Sequence, residues 1–250
     1  MVTVHVAKAK SSTSDIIEGK GKGLIILLHG GPGTGKTLTA ESVAEIVERP
    51  LYRVTCGDIG TDAEGVEKYF QSVLYLCSIW GCVVLLDEAD VFLEERSQMD
   101  IRRNALVSVF LRVLEYYEGI LILTTNRVGT FDEAFKSRIQ LAMHYPPLEL
   151  DGRWEIWRGF LNALRDEGED IAYKELKDKL DALARYPLNG RQIRNTINTA
   201  RQLARYRKER LAYSHFDQAM DVAKEFEEYM DQTHGHSDGQ WARSQRTRLE

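Results

Sequence analysis

The chain has 250 residues, with 33 Lys and Arg against 38 Asp and Glu, a net charge of −5. Apolar residues make up 43% and charged residues 28%, which is the composition of a soluble globular protein and excludes a fibrous or disordered one. A chain of this length buries a core without disulfides or metals, and its mild acidity speaks against a dedicated nucleic-acid binder, which is strongly basic as a rule.

The aliphatic runs Leu24–Leu28 and Cys82–Leu86 are far short of the roughly 20 residues of a membrane span. The first residues lack the apolar core of a signal peptide. Lys8 and Lys10 stand there without an acid, but also without the Arg of a transit peptide. Cys56, Cys77 and Cys82 follow no metal spacing and suit a reducing compartment. The six histidines form no ligand pattern, the pair His234 and His236 included. An intracellular, cytoplasmic protein is expected, with mitochondrial and nuclear residence left open.

Residues 1–22 read as an irregular lead, too poor in apolar side chains to pack alone. Leu24–Leu28 is then a buried strand running into glycines. A helix follows over Thr37–Glu48, with Leu38, Val43, Ile46 and Val47 as its stripe. Leu51–Thr55 is a second strand. Ala63–Ile79 is helical, with Val66, Phe70, Val73, Leu74 and Cys77 on one face. Cys82–Leu86 is a third strand, Asn104–Tyr117 a helix, Ile120–Thr124 a fourth strand and Leu141–Tyr145 a fifth. Such alternation predicts an α/β fold: a doubly wound parallel five-stranded sheet with helices on both faces. Pro146-Pro147 ends the pattern. Beyond it only helices are predicted, over Arg153–Leu164, Tyr173–Ala184, Arg191–Arg210 and Phe216–Met230. The expected organisation is a lead (1–22), an α/β core (23–147), a small all-helical lid (148–230) and a disordered tail (231–250).

The strongest motif is Gly30-Gly31-Pro32-Gly33-Thr34-Gly35-Lys36-Thr37, a P-loop pattern that follows a strand and opens a helix. Its glycines let the backbone curl close to a phosphate. Successive N–H groups and the helix dipole then face the same anion. Lys36 suits the β- and γ-phosphates and the Thr37 hydroxyl suits Mg²⁺. Val83-Val84-Leu85-Leu86-Asp87-Glu88 is an aliphatic strand ending in two carboxylates. Asp87 fits a magnesium shell, directly or through water, and Glu88 fits a base that polarises an attacking water. For Asp90 two readings stand, a supporting contact behind these groups and plain loop surface, and the second is favoured.

Together with Thr124-Thr125-Asn126-Arg127 at the end of a later strand, these motifs resemble the AAA family of ATPases. The resemblance covers about residues 15–225. It implies a P-loop NTPase of AAA+ type that takes ATP and Mg²⁺. Nucleotide contacts would come from Gly31, Pro32, Gly33, Thr34, Gly35, Lys36, Thr37, Leu38 and Asp87, and metal contacts from Thr37 and Asp87. Glu88 would activate water, and Asn126 would hold the γ-phosphate or that water, as a neutral amide can both donate and accept. No Asp follows Asn126 where a guanine-binding motif needs one, so a GTPase is disfavoured. In the segment Phe131–Ile139 the resemblance makes Arg138 an arginine finger reaching a neighbouring subunit. Leu141 stands where the family often has a second Arg. Arg191, opening a lid helix, resembles sensor 2, and Asp15-Ile16-Ile17 resembles the segment whose apolar side chains, here Ile16 and Ile17, flank adenine.

The family's aromatic pore loop has no counterpart between Asp58 and Gly65, which puts polypeptide threading by that route in doubt. The wording of Asp87–Arg96, Thr124–Arg127 and Ser137–Ile139 is similar to the C-terminal AAA domain of large fungal proteins, which implies a fragment of a longer chain. The basic run Arg201, Arg205, Arg207, Lys208 and Arg210 reads as a solvated helix face. The expected function is Mg²⁺-dependent ATP hydrolysis by a homo-oligomer, a hexameric ring, that remodels a protein, with no membrane span and no nucleic acid. Two alternatives stay open: a nucleotide-gated assembly module with little turnover, and a nucleic-acid-acting AAA+ motor.

Overall fold

A computed structural model describes residues 23–55, 59, 62–93, 100–127 and 131–234. Its first half alternates strand and helix. Strand β1 (Leu24–Gly30) leads into α1 (Lys36–Ile46), and β2 (Leu51–Thr55) into α2 (Ala63–Trp80). Strand β3 (Val83–Asp87) is followed by the short α3 (Asp90–Leu93) and by α4 (Ile101–Tyr116). Strand β4 (Ile120–Thr125), the short α5 (Glu133–Lys136) and β5 (Leu141–Tyr145) complete the unit. The sheet order is β2-β3-β4-β1-β5 and every pairing is parallel. The expected doubly wound five-stranded sheet is therefore present.

Side-chain alternation explains the two layers. Ile25, Leu27, Val84, Leu86, Leu121 and Leu123 face α2 and α4, whereas Leu28, Val83, Leu85, Ile120 and Ile122 face α1. The predicted stripe of α2 is buried as expected. That of α1 is not. Its buried residues are Lys36, Ala40 and Ala44, and Leu38 and Ile46 are exposed at 65% and 80%. Two alanines let α1 lie close on the sheet, with Val43 and Val47 beside them and Leu38 and Ile46 turned outward.

The second half is helical: α6 (Leu150–Asp166), α7 (Tyr173–Asp178), α8 (Leu180–Arg185), α9 (Gly190–Arg207) and α10 (Tyr213–His234). Trp157, Leu161, Leu176, Leu183, Ile193 and Phe216 meet in its own apolar cluster. The single helix expected over Tyr173–Ala184 breaks at Lys179 (φ −100°, ψ 6°). The break brings Leu176 of one piece and Leu180 and Leu183 of the other into the same core. Helix α10 runs four residues beyond Met230, to His234, so the first residues of the expected tail are helical. The rest of that tail lies outside the described residues. Among the described residues no helix is long and apolar enough to cross a membrane.

The basic run is not a plain solvated face. Arg201 pairs with Glu169, Arg205 reaches Glu169 at 2.7 Å, and Arg210 reaches Asp170 at 3.1 Å. Arg207 donates to Gln218 at 2.8 Å. Hydrogen bonding to Arg201 holds the Glu169 carboxyl below the usual carboxylate range, against its partial desolvation. A depressed carboxyl contributes stability that is complete above its unfolded pKa and is lost as pH falls through the folded value. Glu169→Gln is thus expected to cost about 1 kcal/mol near neutral pH and to flatten the acid limb of a thermal-melting series. An acid limb as steep as that of the unsubstituted protein would assign the loss to other carboxyls.

Candidate nucleotide site

All five strands are parallel, so their C-terminal ends share one edge, where open α/β sheets bind ligands. The loop after β1 spans Gly31–Gly35. At Gly30 (φ +145°) a Cβ would stand 2.1 Å from the Tyr145 carbonyl oxygen, so the strand-to-loop passage beside β5 needs glycine. Helix α1 begins after Gly35 with no side-chain cap on its first amides and no acid in its first turn. Those donors and the helix dipole face the loop. Lys36 is 93% buried, since only 7% of its surface is exposed, and its Nζ donates to Gly30 O at 3.0 Å and Gly31 O at 2.6 Å. Thr34 Oγ1 donates to Gly31 O at 2.9 Å. The ammonium is thereby aimed into the curl of the loop.

Beside it stand the tips of β3 and β4. Thr37 Oγ1 donates to Asp87 Oδ1 at 3.1 Å. Magnesium binds oxygens at 2.0–2.1 Å in octahedral geometry, which puts neighbouring ligands about 3 Å apart, so this hydroxyl–carboxylate pair fits the ion. Thr124 Oγ1 donates to Asp87 Oδ1 at 2.5 Å and accepts from the Glu88 N–H at 3.0 Å. Ala89 N donates to Thr124 O at 2.9 Å. The two tips are thus laced together around one hydroxyl. Glu88 holds a left-handed backbone (φ +57°) unusual for a non-glycine residue and is exposed, while Asp87 is buried. Consecutive carboxylates therefore point in different directions. Asn126 follows β4 directly and is partly buried; its N–H donates to Asp90 Oδ1 at 3.2 Å.

That contact corrects the reading of Asp90 as loop surface. Its Oδ1 also accepts from the Thr125 hydroxyl, which in turn accepts from Arg127 N at 3.0 Å. Asp90 is a brace for the segment that carries Asn126. Residue order favoured the other reading because the partners lie 35 and 36 residues away.

The helical half closes on the same loop. Gly190 N donates to Gly33 O at 2.9 Å. Asn189 caps α9 by accepting from Gln192 N at 2.9 Å, and the Gln192 side chain accepts from Asn189 N at 2.8 Å. A Cβ on Gly33 (φ +72°) would meet Asn189 Oδ1 at 2.4 Å. Asn189 and Gly190 thus join the lid to the loop, and Arg191, expected from the resemblance to face the nucleotide, stands one residue into α9 and is exposed. A cavity of about 300 Å³ lies between the halves, lined by Pro32, Thr34, Pro147, Leu188, Asn189 and Gln192 among others. Leu38 is exposed in the first turn of α1. Ile16 and Ile17 lie outside the described residues, as do Asp58, Gly60 and Thr61 of the expected short loop at 58–65, while Ala63, Glu64 and Gly65 open α2.

Arg138 sits at the other end of the sheet. Gln140, two residues on, pairs with Ile25 near the start of β1, about 16 Å from Gly30 at roughly 3.3 Å per residue. Its guanidinium donates to Ala134 O at 2.8 Å and to Glu115 Oε2 at 3.2 Å, and its buried Nε has no partner among the described residues. Arg138 does not reach the loop of its own chain.

Two family models match consecutive stretches: the ATPase family associated with various cellular activities (AAA) over residues 26–147, and the fungal AAA+ ATPase lid domain over residues 148–237. The chain belongs to the AAA family of ATPases. The fungal lid agrees with the expected likeness to fungal AAA domains. Among similar proteins, human ATPase family AAA domain-containing protein 3B is 34% identical over 134 residues, 50% of this chain and 21% of that protein. Xenopus laevis ATPase family AAA domain-containing protein 3-B is 30% identical over 203 residues, covering 74% and 33%. Cell division control protein 48 homolog B of Arabidopsis thaliana is 27% identical over 181 residues, covering 66% and 29%. The AAA chain therefore spans a fifth to a third of the length of these relatives.

Proposed function

We propose that this AAA chain binds ATP with Mg²⁺ and hydrolyses it, and that it works as a homo-oligomeric ring, a hexamer, that remodels a protein. The observation that carries the chemical part is the convergence of three strand ends, with Lys36 after β1, Asp87 at the tip of β3 and Asn126 after β4. Loop amides and Lys36 hold the phosphates, and Thr37 and Asp87 hold the metal. Magnesium, when bound, draws charge from the β- and γ-phosphoryl oxygens. Glu88 accepts a proton from the attacking water, and Asn126 orients that water. The cavity between the core, residues 23–147, and the lid, residues 148–230, takes the base, with Leu38, Ile16 and Ile17 beside it. The Gly33–Gly190 hydrogen bond ties the lid to the phosphate loop, so a change at the phosphates is felt by α9 and Arg191.

Asp90→Ala is expected to leave nucleotide uptake intact and to cut turnover roughly 10- to 100-fold, because Asn126 loses its brace. Equal turnover would show that Asn126 is positioned by β4 alone. The whole reading is tested by calorimetric titration of ATP and Mg²⁺ into the Glu88→Gln protein, with turnover of the unsubstituted protein measured beside it. Uptake together with turnover supports it; folded protein that takes up no nucleotide overturns it.

A further inference from the structure

The Asp87 carboxylate is held on both oxygens, and one holder has no part in the chemistry above. Arg53 stands in β2, two residues before Thr55, which is the register partner of Asp87. Its Nη2 donates to Asp87 Oδ2 at 2.6 Å, while Thr37 and Thr124 donate to Oδ1. The two side chains differ in freedom: that of Asp87 is 8% exposed and that of Arg53 52%. Along β2, Tyr52 and Val54 pack with the α2 and α4 layer, and Leu51 packs on the α1 side. Alternation puts Arg53 on the α1 side as well, where an aliphatic residue would extend the cluster. A cation there needs a reason, and the structure supplies one in Asp87.

We propose that Arg53 is a positioning residue that competes with a divalent cation for Asp87 and so sets the Mg²⁺ concentration at which ATP is held. The inference rests on the ATP–Mg²⁺ reading of the site. A guanidinium on Oδ2 neutralises the carboxylate and repels a second cation brought to the same group. Half exposed on a flexible stem, Arg53 can swing off Asp87 into solvent without disturbing the core, whereas Asp87 stays fixed by two hydroxyls and its strand. The ion pair aims the carboxylate and lowers its affinity for metal.

The test uses the Glu88→Gln protein, in which turnover does not deplete the ligand. Binding of a fluorescently labelled ATP is followed by polarisation while Mg²⁺ is titrated. Arg53→Gln is expected to move the Mg²⁺ midpoint about three- to fivefold lower, the range a half-exposed ion pair supports. Arg53→Lys keeps the charge and is expected to stay close to the parent. A midpoint that is unchanged or higher in a folded Arg53→Gln protein, with labelled ATP still bound, overturns the proposal and leaves the ATP–Mg²⁺ reading standing. Loss of all labelled-ATP binding in that folded variant also overturns it, since Arg53 would then be a required ligand. A parent protein that binds no labelled ATP at any Mg²⁺ concentration overturns both.

Discussion

Glu88→Gln is expected to keep ATP uptake within about threefold of the unsubstituted protein and to cut turnover by about 10²- to 10⁴-fold, the span of a lost general base. The exchange removes a carboxylate proton acceptor. Glutamine matches the size of glutamate, and the left-handed backbone at residue 88 costs much the same for either. The local brace is untouched, because it runs through main chain: Glu88 N to Thr124 Oγ1 at 3.0 Å and Ala89 N to Thr124 O at 2.9 Å. Asp87 keeps its hydroxyl partners, so the proposed metal position is expected to be preserved. Calorimetry reads the uptake and phosphate release reads the turnover. Unimpaired phosphate release would remove Glu88 from the chemistry and pass the role to another acid at this edge.

What could be read from residue order is what consecutive residues decide. Loop glycines, Lys36 and Thr37 are neighbours in the chain, and an aliphatic run ending in Asp87 is a buried strand tip whatever surrounds it. The doubly wound sheet followed from the same local rhythm. What stayed hidden depends on partners distant along the chain. Arg53 meets Asp87 across 34 residues and Thr125 meets Asp90 across 35. Gly33 meets Gly190 only because the helical half folds back on the loop. Nothing in the wording of β2 says that its third residue turns toward a carboxylate on the neighbouring strand. Half of the stripe predicted for α1, Leu38 and Ile46, is exposed for a related reason. Periodicity weighs Leu38 and Ile46 above alanines, but close approach to the sheet selects Ala40 and Ala44. The break at Lys179 likewise follows from lid packing, which wants Leu176 and Leu180 in one core.

Arg138→Ala is expected to lower turnover by about 10³- to 10⁵-fold, the range for a lost arginine finger, and to be rescued by mixing with Lys36→Ala protein. The geometry makes the rescue decisive. Arg138 stands by Glu115 and the start of β1, about 16 Å from its own phosphate loop by strand rise. An effect on hydrolysis must therefore cross to a neighbouring copy or arise from damaged packing. On the proposed reading each singly substituted protein is expected to be inactive for a different reason: one would lack the finger, the other the phosphate-binding ammonium. In a random one-to-one ring, about a quarter of interfaces would join an intact loop to an intact finger, so about a quarter of full turnover should return. Loss of the Glu115 ion pair alone would lower the melting temperature, and mixing would restore nothing. Partial exposure of both partners, 25% and 21%, lets the guanidinium leave Glu115 when a phosphate from the adjoining copy offers more charge. Absence of rescue, with both proteins folded and mixed in assembled form, would make Arg138 a structural residue of the α4–β5 corner and leave the finger to another arginine.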